Sequence, residues 1–310
     1  MGTFTAFPAF LQDETISFYN SYKDKRISNQ ALKLFSKMIN CSSSCLRKLA
    51  GCRKTEVAFG RLLRNKRFTV EPIVSKAIEK TKILAKESKH VLLIQDSVFL
   101  YFGQRGKTKV KGLGVGGNDG SMGFYQHPMI AIDADDKTCY GLAAFYQWVR
   151  CEETEKTRGD SAPRSKLPIS EKESFRWIQC ANESKKIFNE KTIKTVIADR
   201  ESDIYEEHCL VPDKTTQILT RASHNRKLAN GEYLFETLKK TKTKGKIEVF
   251  LPAITGKRKA RVASLNVRFK KVEVRKPARA FTDGIPKTAS LYAIEIEEIS
   301  EYKDRIHWFF

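Results

Sequence analysis

The spacing of apolar positions along the chain changes near residue 90. Before that point apolar residues recur every three or four positions, most clearly in the run from Ile27 to Met38, which is the spacing of an amphipathic helix. A second helix is expected over 55–65, and a third from Pro72, because proline is favoured in the first turn of a helix. Residues 1–88 are therefore predicted to form a helical subdomain.

After residue 90 the pattern is that of short strands. The stretch "HVLLIQDS" is a continuous apolar run that ends on Asp96, which predicts a strand buried on both faces. The stretches "FYQHPMIAID" and "TCYGLAAFYQWV" are joined by "ADDKT", whose residues are typical of a hairpin turn. We therefore interpret Asp133, Asp135 and Asp136 as turn residues and not as metal ligands.

Two helix–strand pairs follow this hairpin. Ser170 to Glu173 has the pattern of a capping box before a helix, and the strand after that helix ends on Asp199. A short helix from Asp203 and the strand "TQILTRAS" come next. The chain order is thus strand, strand, strand, helix, strand, helix, strand, which predicts an α+β or α/β fold built on one mixed sheet.

The segment 237–279 is strongly basic, with 15 lysines and arginines against two acids, Glu248 and Glu273. It also alternates apolar and polar positions, as from Leu265 to Phe269, which an exposed tail would not need. We expect a basic antiparallel β subdomain over about 229–290, inserted into a core domain over 89–310.

Composition points to a polyanionic partner. The chain has 57 Lys and Arg against 36 Asp and Glu, a formal net charge of +21, and such an excess favours binding to nucleic acid. Its seven cysteines have irregular spacing, so reduced thiols in a cytoplasm are expected. Apolar runs such as 91–94 are far shorter than a membrane span.

Two apparent ligand-binding motifs do not predict a dinucleotide site or a zinc site. Gly112, Gly114 and Gly117 match the dinucleotide-binding fingerprint, but the residues after them predict turns and a strand, where the fingerprint would open a helix. Cys41, Cys45 and Cys52 lack a fourth ligand at zinc spacing. We expect no organic cofactor.

The two acids that end predicted core strands are the strongest candidates for chemistry. On adjacent strands, Asp96 and Asp199 would come close enough to share a divalent ion, since two carboxylates repel each other without a cation between them. Mg²⁺ binds carboxylates together with water and substrate phosphate. The strand pattern leaves open an alternative, in which one or both acids only end or cap a strand.

Several stretches resemble known enzymes. "LLIQDSVFLYF", "EKESFRW" and "TVIADRESDIYEE" resemble, in order and spacing, the catalytic blocks of DDE cut-and-paste transposases of bacterial insertion sequences, in the insertion-sequence-four family and its transposon-five branch. The resemblance extends to "EVAFGRLLRN", "LTRASHNRKL" and "GEYLFETLKK" and covers nearly the whole chain. It implies a ribonuclease-H-like core, a bacterial, nucleoid-associated location and an N-terminal subdomain that binds transposon ends.

The resemblance also assigns roles to residues. Asp96 and Asp199 would be the first two acids of the Asp/Asp/Glu site, binding Mg²⁺, with Mn²⁺ as a possible substitute. Double-stranded DNA, as transposon ends and target, would be the partner. Trp308 matches an aromatic residue that receives a flipped base, which indole suits by stacking. The expected DNA contacts are Lys25, Arg26, Arg61, Arg64, Arg221, His224, Arg226, Lys227 and Trp308.

The family's third acid is not matched. It lies on a helix with the pattern Tyr-x2-Arg-x3-Glu, whereas Tyr302 and Arg305 would place Phe309 at the acid's position, and "DRIHWFF" is predicted to be a strand. The helical region through which the family forms homodimers is not matched either. We therefore expect this chain alone to be inactive. The alternatives are a non-catalytic DNA-binding remnant that inhibits transposition, and a nuclease that recruits Glu295 or Glu297.

Overall fold

The chain divides into two compact units, residues 1–84 and 85–310. The computed structural model describes residues 22–104, 111–116, 121–150, 166–256 and 258–310. Within this part of the chain, no helix is long and apolar enough to cross a membrane.

The first unit is helical in its described part. Its helices are α1 (Lys25–Cys41), α2 (Leu46–Ala50), α3 (Arg53–Leu63) and α4 (Glu71–Leu84). The three predicted helices correspond to α1, α3 and α4, whereas α2 is too short to show a periodic pattern. On α1 the buried face includes Leu34, which is 6% exposed, and Met38 is 38% exposed, so the apolar face ends one turn earlier than its spacing predicts.

The second unit contains all the strands among the described residues. In chain order its elements are β1 (His90–Gln95), β2 (Val98–Gln104), β3 (Gly114–Gly116), β4 (Ser121–Asp133), β5 (Cys139–Trp148), α5 (Phe175–Lys185), β6 (Ile193–Ala198), α6 (Tyr205–Leu210), β7 (Thr216–Thr220), α7 (Leu234–Lys239), β8 (Gly245–Leu251), β9 (Arg261–Arg275), β10 (Thr288–Glu298) and β11 (His307–Phe309). The predicted order of three strands, helix, strand, helix and strand is β1, β4, β5, α5, β6, α6 and β7.

The first sheet is mixed. Through its middle the strands follow the order β5-β4-β1-β6-β7, in which β4 is antiparallel to β5 and β1, while β1, β6 and β7 are parallel. The strands β2 and β3 were not predicted from the apolar pattern. They pair with the first half of β4, because that strand is 13 residues long and extends beyond its pairing with β1.

One face of this sheet is more deeply buried than the other. Val91, Leu93 and Val196 are fully buried and belong to one apolar cluster with α5, including Ile178. On the opposite face of β1, Ile94 is 38% exposed. The prediction that β1 is buried on both faces is therefore wrong, because among the described residues of this unit the apolar cluster forms on the α5 side alone.

The second sheet is antiparallel, in the order β11-β10-β9-β8. It confirms the predicted antiparallel β region, and the stretch "DRIHWFF" does form a strand, β11, that pairs with β10. The sheet runs from Gly245 to Phe309. Its buried residues, among them Val274 and Ala293, pack with Leu238 of α7.

Local structure explains two of the sequence motifs. A Cβ on Gly114 would lie 2.2 Å from the carbonyl oxygen of Arg150, so this glycine permits close strand packing; Gly117 lies outside the described residues. The predicted capping box does not form, because Ser174 precedes α5 without a side-chain cap and Glu173 binds Arg150 at 2.6 Å. The six cysteines among the described residues are free thiols.

Candidate metal and nucleic-acid site

The strand register places Asp96 and Asp199 at equivalent positions. In the parallel pair formed by β1 and β6, Ile94 lies opposite Ile197, and each aspartate follows its isoleucine by two residues. Side chains two residues apart along an extended chain lie on the same face, and neighbouring strands are about 4.8 Å apart. Both backbones remain extended here, since the Asp96 amide still bonds to Pro128 of β4 and Asp199 has φ −82° and ψ −164°.

Each of these carboxylates has one oxygen bound by a nearby amide. Asp96 Oδ1 accepts a hydrogen bond of 2.7 Å from the amide of Ser97, and Asp199 Oδ1 accepts one of 2.9 Å from the amide of Glu201. Both aspartates are exposed, and neither forms an ion pair with another described residue. Asp199 thus caps the turn that follows β6, and this role uses only one of its oxygens.

The donor set fits a divalent ion that is completed from outside the protein. Two exposed carboxylates on one face match the preference of Mg²⁺ for oxygen ligands, with water and phosphate filling the other positions. Within the described ranges, no group of three or more His, Cys, Asp or Glu residues is placed to hold a metal. The hairpin aspartates serve the turn, as predicted, because Asp133 Oδ1 accepts the amides of Asp135 and Asp136.

The two glutamates considered as replacement acids already have partners. Glu295 is fully buried and binds Arg268 at 2.9 Å and His307 at 2.8 Å. Glu297 binds the same arginine at 2.8 Å, which lowers the pKa of that carboxyl. To serve as a metal ligand, either one would have to give up its contact with Arg268.

Trp308 and Arg221 come together beside the strand that carries Asp199. The guanidinium carbon of Arg221 lies 4.8 Å from the centre of the Trp308 ring. The amide of Arg221 bonds to Ala198, the last residue of β6, and the next amide, that of Ala222, bonds to Phe309 of β11. The second sheet therefore brings its last strand to the end of β6, where the indole is 37% exposed.

The loop after Arg221 is held by a buried aspartate. Asp203 accepts hydrogen bonds from the amide of His224 at 3.0 Å and from Arg226 at 2.5 Å. Burial alone would raise the pKa of Asp203, but hydrogen bonds from His208 and Arg226 hold it well below its ordinary range. Arg226 is thus a structural partner of Asp203, while His224 and Lys227 lie exposed on the same loop.

An open cavity of about 500 Å³ lies next to this loop. Its wall includes four basic side chains, those of Lys172, His224, Arg226 and Arg279. The wall also includes Asp203 and Glu206, and Arg226 is paired with Asp203, so of these basic groups His224 and Arg279 are the candidates for binding phosphate.

The predicted DNA contacts of the first unit lie on two helices. Lys25 and Arg26 are exposed on α1, and Arg61 lies exposed on α3, with Arg64 at the C-cap of that helix. Arg26 also binds Asp24 at 3.3 Å. The Arg26 side chain is 91% exposed in this pair, so its guanidinium is accessible. The roles of these four residues stay predictions.

Sequence reasoning missed a set of buried polar residues beneath the two acids. Gln95, His127 and Glu207 are each 2% exposed or less, and Arg176 is 8% exposed. Two signals could have found them: Gln95 is the polar residue that ends the apolar run of β1, and Arg176 stands between Phe175 and Trp177 on α5.

Comparison with known proteins adds little to this geometry. No protein-family model matches the chain. A piggyBac transposase, solved by cryo-electron microscopy in a synaptic complex with hairpin DNA, aligns with 99% of this chain at 11% identity and a TM-score of 0.37. This chain spans 55% of the length of that one. A likeness this distant supports no conclusion about fold or function.

Proposed function

We propose that this chain is a DNA-binding protein of the DDE transposase type, with a ribonuclease-H-like core in which Asp96 and Asp199 bind a divalent ion. The observation that carries the proposal is the register of β1 and β6, which brings the two acids to equivalent positions on neighbouring strands. The same acids lie in the stretches that resemble the transposase blocks. The sheet order β5-β4-β1-β6-β7 is consistent with such a core.

The reaction would be phosphoryl transfer on DNA. Bound Mg²⁺ would neutralise the charge that develops on the attacking and leaving oxygens of phosphodiester cleavage. Asp96 and Asp199 would each supply the carboxylate oxygen that does not bind a backbone amide. Arg221, His224 and Lys227 would hold the phosphates of the strand beside the two acids, and the exposed indole of Trp308 would stack on an unpaired base.

The DNA partner is proposed from charge and from exposed basic side chains. The basic segment 237–279 contains all of β8 and all of β9, and its described lysines are mostly exposed, including Lys270 and Lys271. If about six phosphates are neutralised, log affinity should fall with log salt with a slope near −5. A slope shallower than about −2 in a titration of duplex binding against salt contradicts this proposal.

A second function is favoured by a specific observation. In the part of the chain that the structure describes, no third acid joins Asp96 and Asp199. A site with two carboxylates holds its ion weakly, and losing one member of a cooperating catalytic set commonly costs about 10³-fold or more in rate. We therefore propose as the alternative that this chain binds DNA, and occupies transposon ends, without cutting them.

One experiment separates the two functions. The 310-residue chain is incubated in Mg²⁺ and in Mn²⁺ with end-labelled duplexes taken from the DNA that flanks its gene. An Asp199→Ala variant serves as the control. Nicking by the parent that the variant lacks supports catalysis. Specific binding of those duplexes by both proteins, without nicking, supports the non-catalytic function, and equal affinity for random duplexes contradicts recognition of ends.

A further inference from the structure

A chain of hydrogen bonds lies under the two candidate acids. Four of its members lie on β1, β4, α5 and α6 and three lie in the segments that follow β1 and β6; they are Gln95, His127, Arg176 and Glu207, and Ser97, Glu201 and Ser202. Two of them flank Asp96 in sequence, and two others lie in the turn that Asp199 caps. The network therefore joins the two strand ends that carry the acids.

Arg176 of α5 makes the first connection. Its Nε donates to the hydroxyl of Ser97 at 2.9 Å, and its Nη2 donates to Glu201 at 3.2 Å. Ser97 follows Asp96 directly, while Glu201 lies two residues after Asp199. One guanidinium thus spans the two strand ends, and its planar fork restricts how far they can move apart.

Glu207 of α6 makes the second connection. Its Oε1 accepts from the side-chain amide of Gln95 at 3.2 Å, and its Oε2 accepts from the hydroxyl of Ser202 at 2.5 Å. Gln95 precedes Asp96, and Ser202 lies in the turn after Asp199. Glu207 is fully buried, so these bonds are not in competition with water.

His127 of β4 links the two connections and has one consistent protonation state. Its Nε2 faces Gln95 Oε1 at 3.1 Å, and that oxygen can only accept. The proton therefore lies on Nε2, and Nδ1 accepts from the Ser97 hydroxyl at 2.8 Å. Burial, and then the charge of Arg176, lower the pKa of His127 to about 3, so the ring is neutral.

We propose that Arg176 and Glu207 are positioning residues that set the separation of Asp96 and Asp199, each by joining a residue beside the first acid to a residue of the turn after the second. This inference rests on the proposed function, since the separation matters when the two carboxylates share an ion. Mutation of residues that hydrogen-bond directly to metal ligands commonly lowers metal affinity by about 10–100-fold, and because Arg176 and Glu207 act through neighbours of the two acids we expect the lower end of that range.

The test substitutes a residue beside Asp96 and measures the stability of the turn after Asp199. Ser97→Ala removes the hydroxyl that receives Arg176 and donates to His127. Its matched control is Ser88→Ala, because Ser88 lies at the opposite end of β1, where its hydroxyl donates to Asp133 at 2.7 Å. Ser97→Thr restores a hydroxyl and serves as the rescue variant.

The first measurement is hydrogen exchange of the amides of Glu201 and Ser202, which bond to the side chain and the carbonyl of Asp199. In Ser97→Ala they should exchange about fivefold faster, the effect of losing one hydrogen bond. Ser97→Thr and Ser88→Ala should leave their exchange as in the parent. Unchanged exchange in Ser97→Ala overturns the inference.

A reciprocal variant avoids any change in the buried core. Glu201 is 64% exposed, and Glu201→Ala removes the contact with Arg176 from the other side. The amide of Ser97, which bonds to Asp96, should then exchange about fivefold faster. If it does not, Arg176 does not couple the two ends.

The second measurement is binding of Mn²⁺ alone, followed by electron paramagnetic resonance. Ser97→Ala should bind Mn²⁺ about tenfold more weakly than the parent, as expected for a lost positioning contact, and Ser88→Ala should bind it equally. Equal Mn²⁺ binding by the parent and Asp199→Ala overturns the proposed function. The hydrogen exchange result still decides whether the two ends are coupled.

Discussion

Each of the two ends of β1 has a serine close to an aspartate. The ends differ in how many hydrogen-bond donors of the protein already bind the aspartate's carboxylate oxygens. At the first end, Asp133 is 8% exposed and accepts from Ser88 and Tyr140, both at 2.7 Å, and from two amides of its own turn. Its oxygens are saturated by the protein. This carboxylate therefore stabilises the hairpin and has no free oxygen for a ligand.

At the other end, the aspartate is open. Asp96 is exposed and accepts from the Ser97 amide, while the hydroxyl of Ser97 is directed to His127 and Arg176. The protein's donors thus bind the neighbours of Asp96 and leave most of its carboxylate free. The comparison teaches that the number of donors around an acid, more than its place at a strand end, separates structural acids from candidate ligands.

The largest expected effect is at Asp203, which, like Asp133, is a buried aspartate whose oxygens accept several hydrogen bonds from the protein. Asp203→Ala leaves Arg226, whose side chain is 11% exposed, without its partner and should lower the free energy of unfolding by about 3–5 kcal/mol. Asp199→Ala removes one exposed side-chain acceptor and should lower it by about 1 kcal/mol or less. Urea unfolding followed by tryptophan fluorescence measures both, since Trp148, Trp177 and Trp308 all lie in the second unit. Equal losses of unfolding free energy in the two variants would contradict the distinction between a structural Asp203 and an open Asp199.

A smaller effect separates the two ends of β1 directly. Asp133→Asn removes an acceptor from Ser88 or Tyr140 and should cost about 1–3 kcal/mol of unfolding free energy. Asp96→Asn should be nearly neutral for stability but should abolish Mn²⁺ binding. The same urea titration tests the first expectation. A stability loss at Asp96 as large as that at Asp133 would show that Asp96 is structural.

The pH dependence of stability should show that the buried His127 ring is neutral in the folded chain. Its pKa is about 3 in the folded chain and near 6.5 when unfolded, so below pH 6.5 the unfolded chain binds a proton that the folded chain does not. The stability that His127 contributes is therefore present above pH 6.5 and is lost as pH falls towards 3. His127→Gln should show a weaker fall in melting temperature over this range than the parent. Parallel curves for the two proteins would contradict the neutral buried ring.

The smallest expected effect extends the comparison to basic residues. Lys227 is exposed, whereas Arg226 is held by Asp203. Lys227→Ala should make the log-log salt slope of duplex binding shallower by about 1, the effect of losing one phosphate contact. An Arg226→Gln change removes the charge and keeps a side-chain amide that can donate to Asp203 Oδ1, the oxygen to which two guanidinium nitrogens donate, and it should leave the slope unchanged. A shallower slope in the Arg226 variant would show that this guanidinium also contacts phosphate.

Much of the second unit could be predicted along the chain. Apolar runs and turn residues located β1, the hairpin of β4 and β5, and the strands β6 and β7, because period and turn chemistry are local properties. The positions of Asp96 and Asp199 at strand ends follow from the same local pattern. The short strands β2 and β3 escaped prediction, since their pairing with β4 depends on how far that strand extends.

By itself, then, the sequence determined the type and order of the main elements, the basic character of the β region, and the two acids at strand ends. Only the tertiary structure decided that β1 and β6 are neighbours in a register that aligns Ile94 with Ile197. It also decided that Asp133 is saturated with donors and that Arg226 is held by Asp203. These facts depend on contacts between residues far apart in the chain, such as Gln95 with Glu207, and no local pattern of apolar and polar positions specifies them.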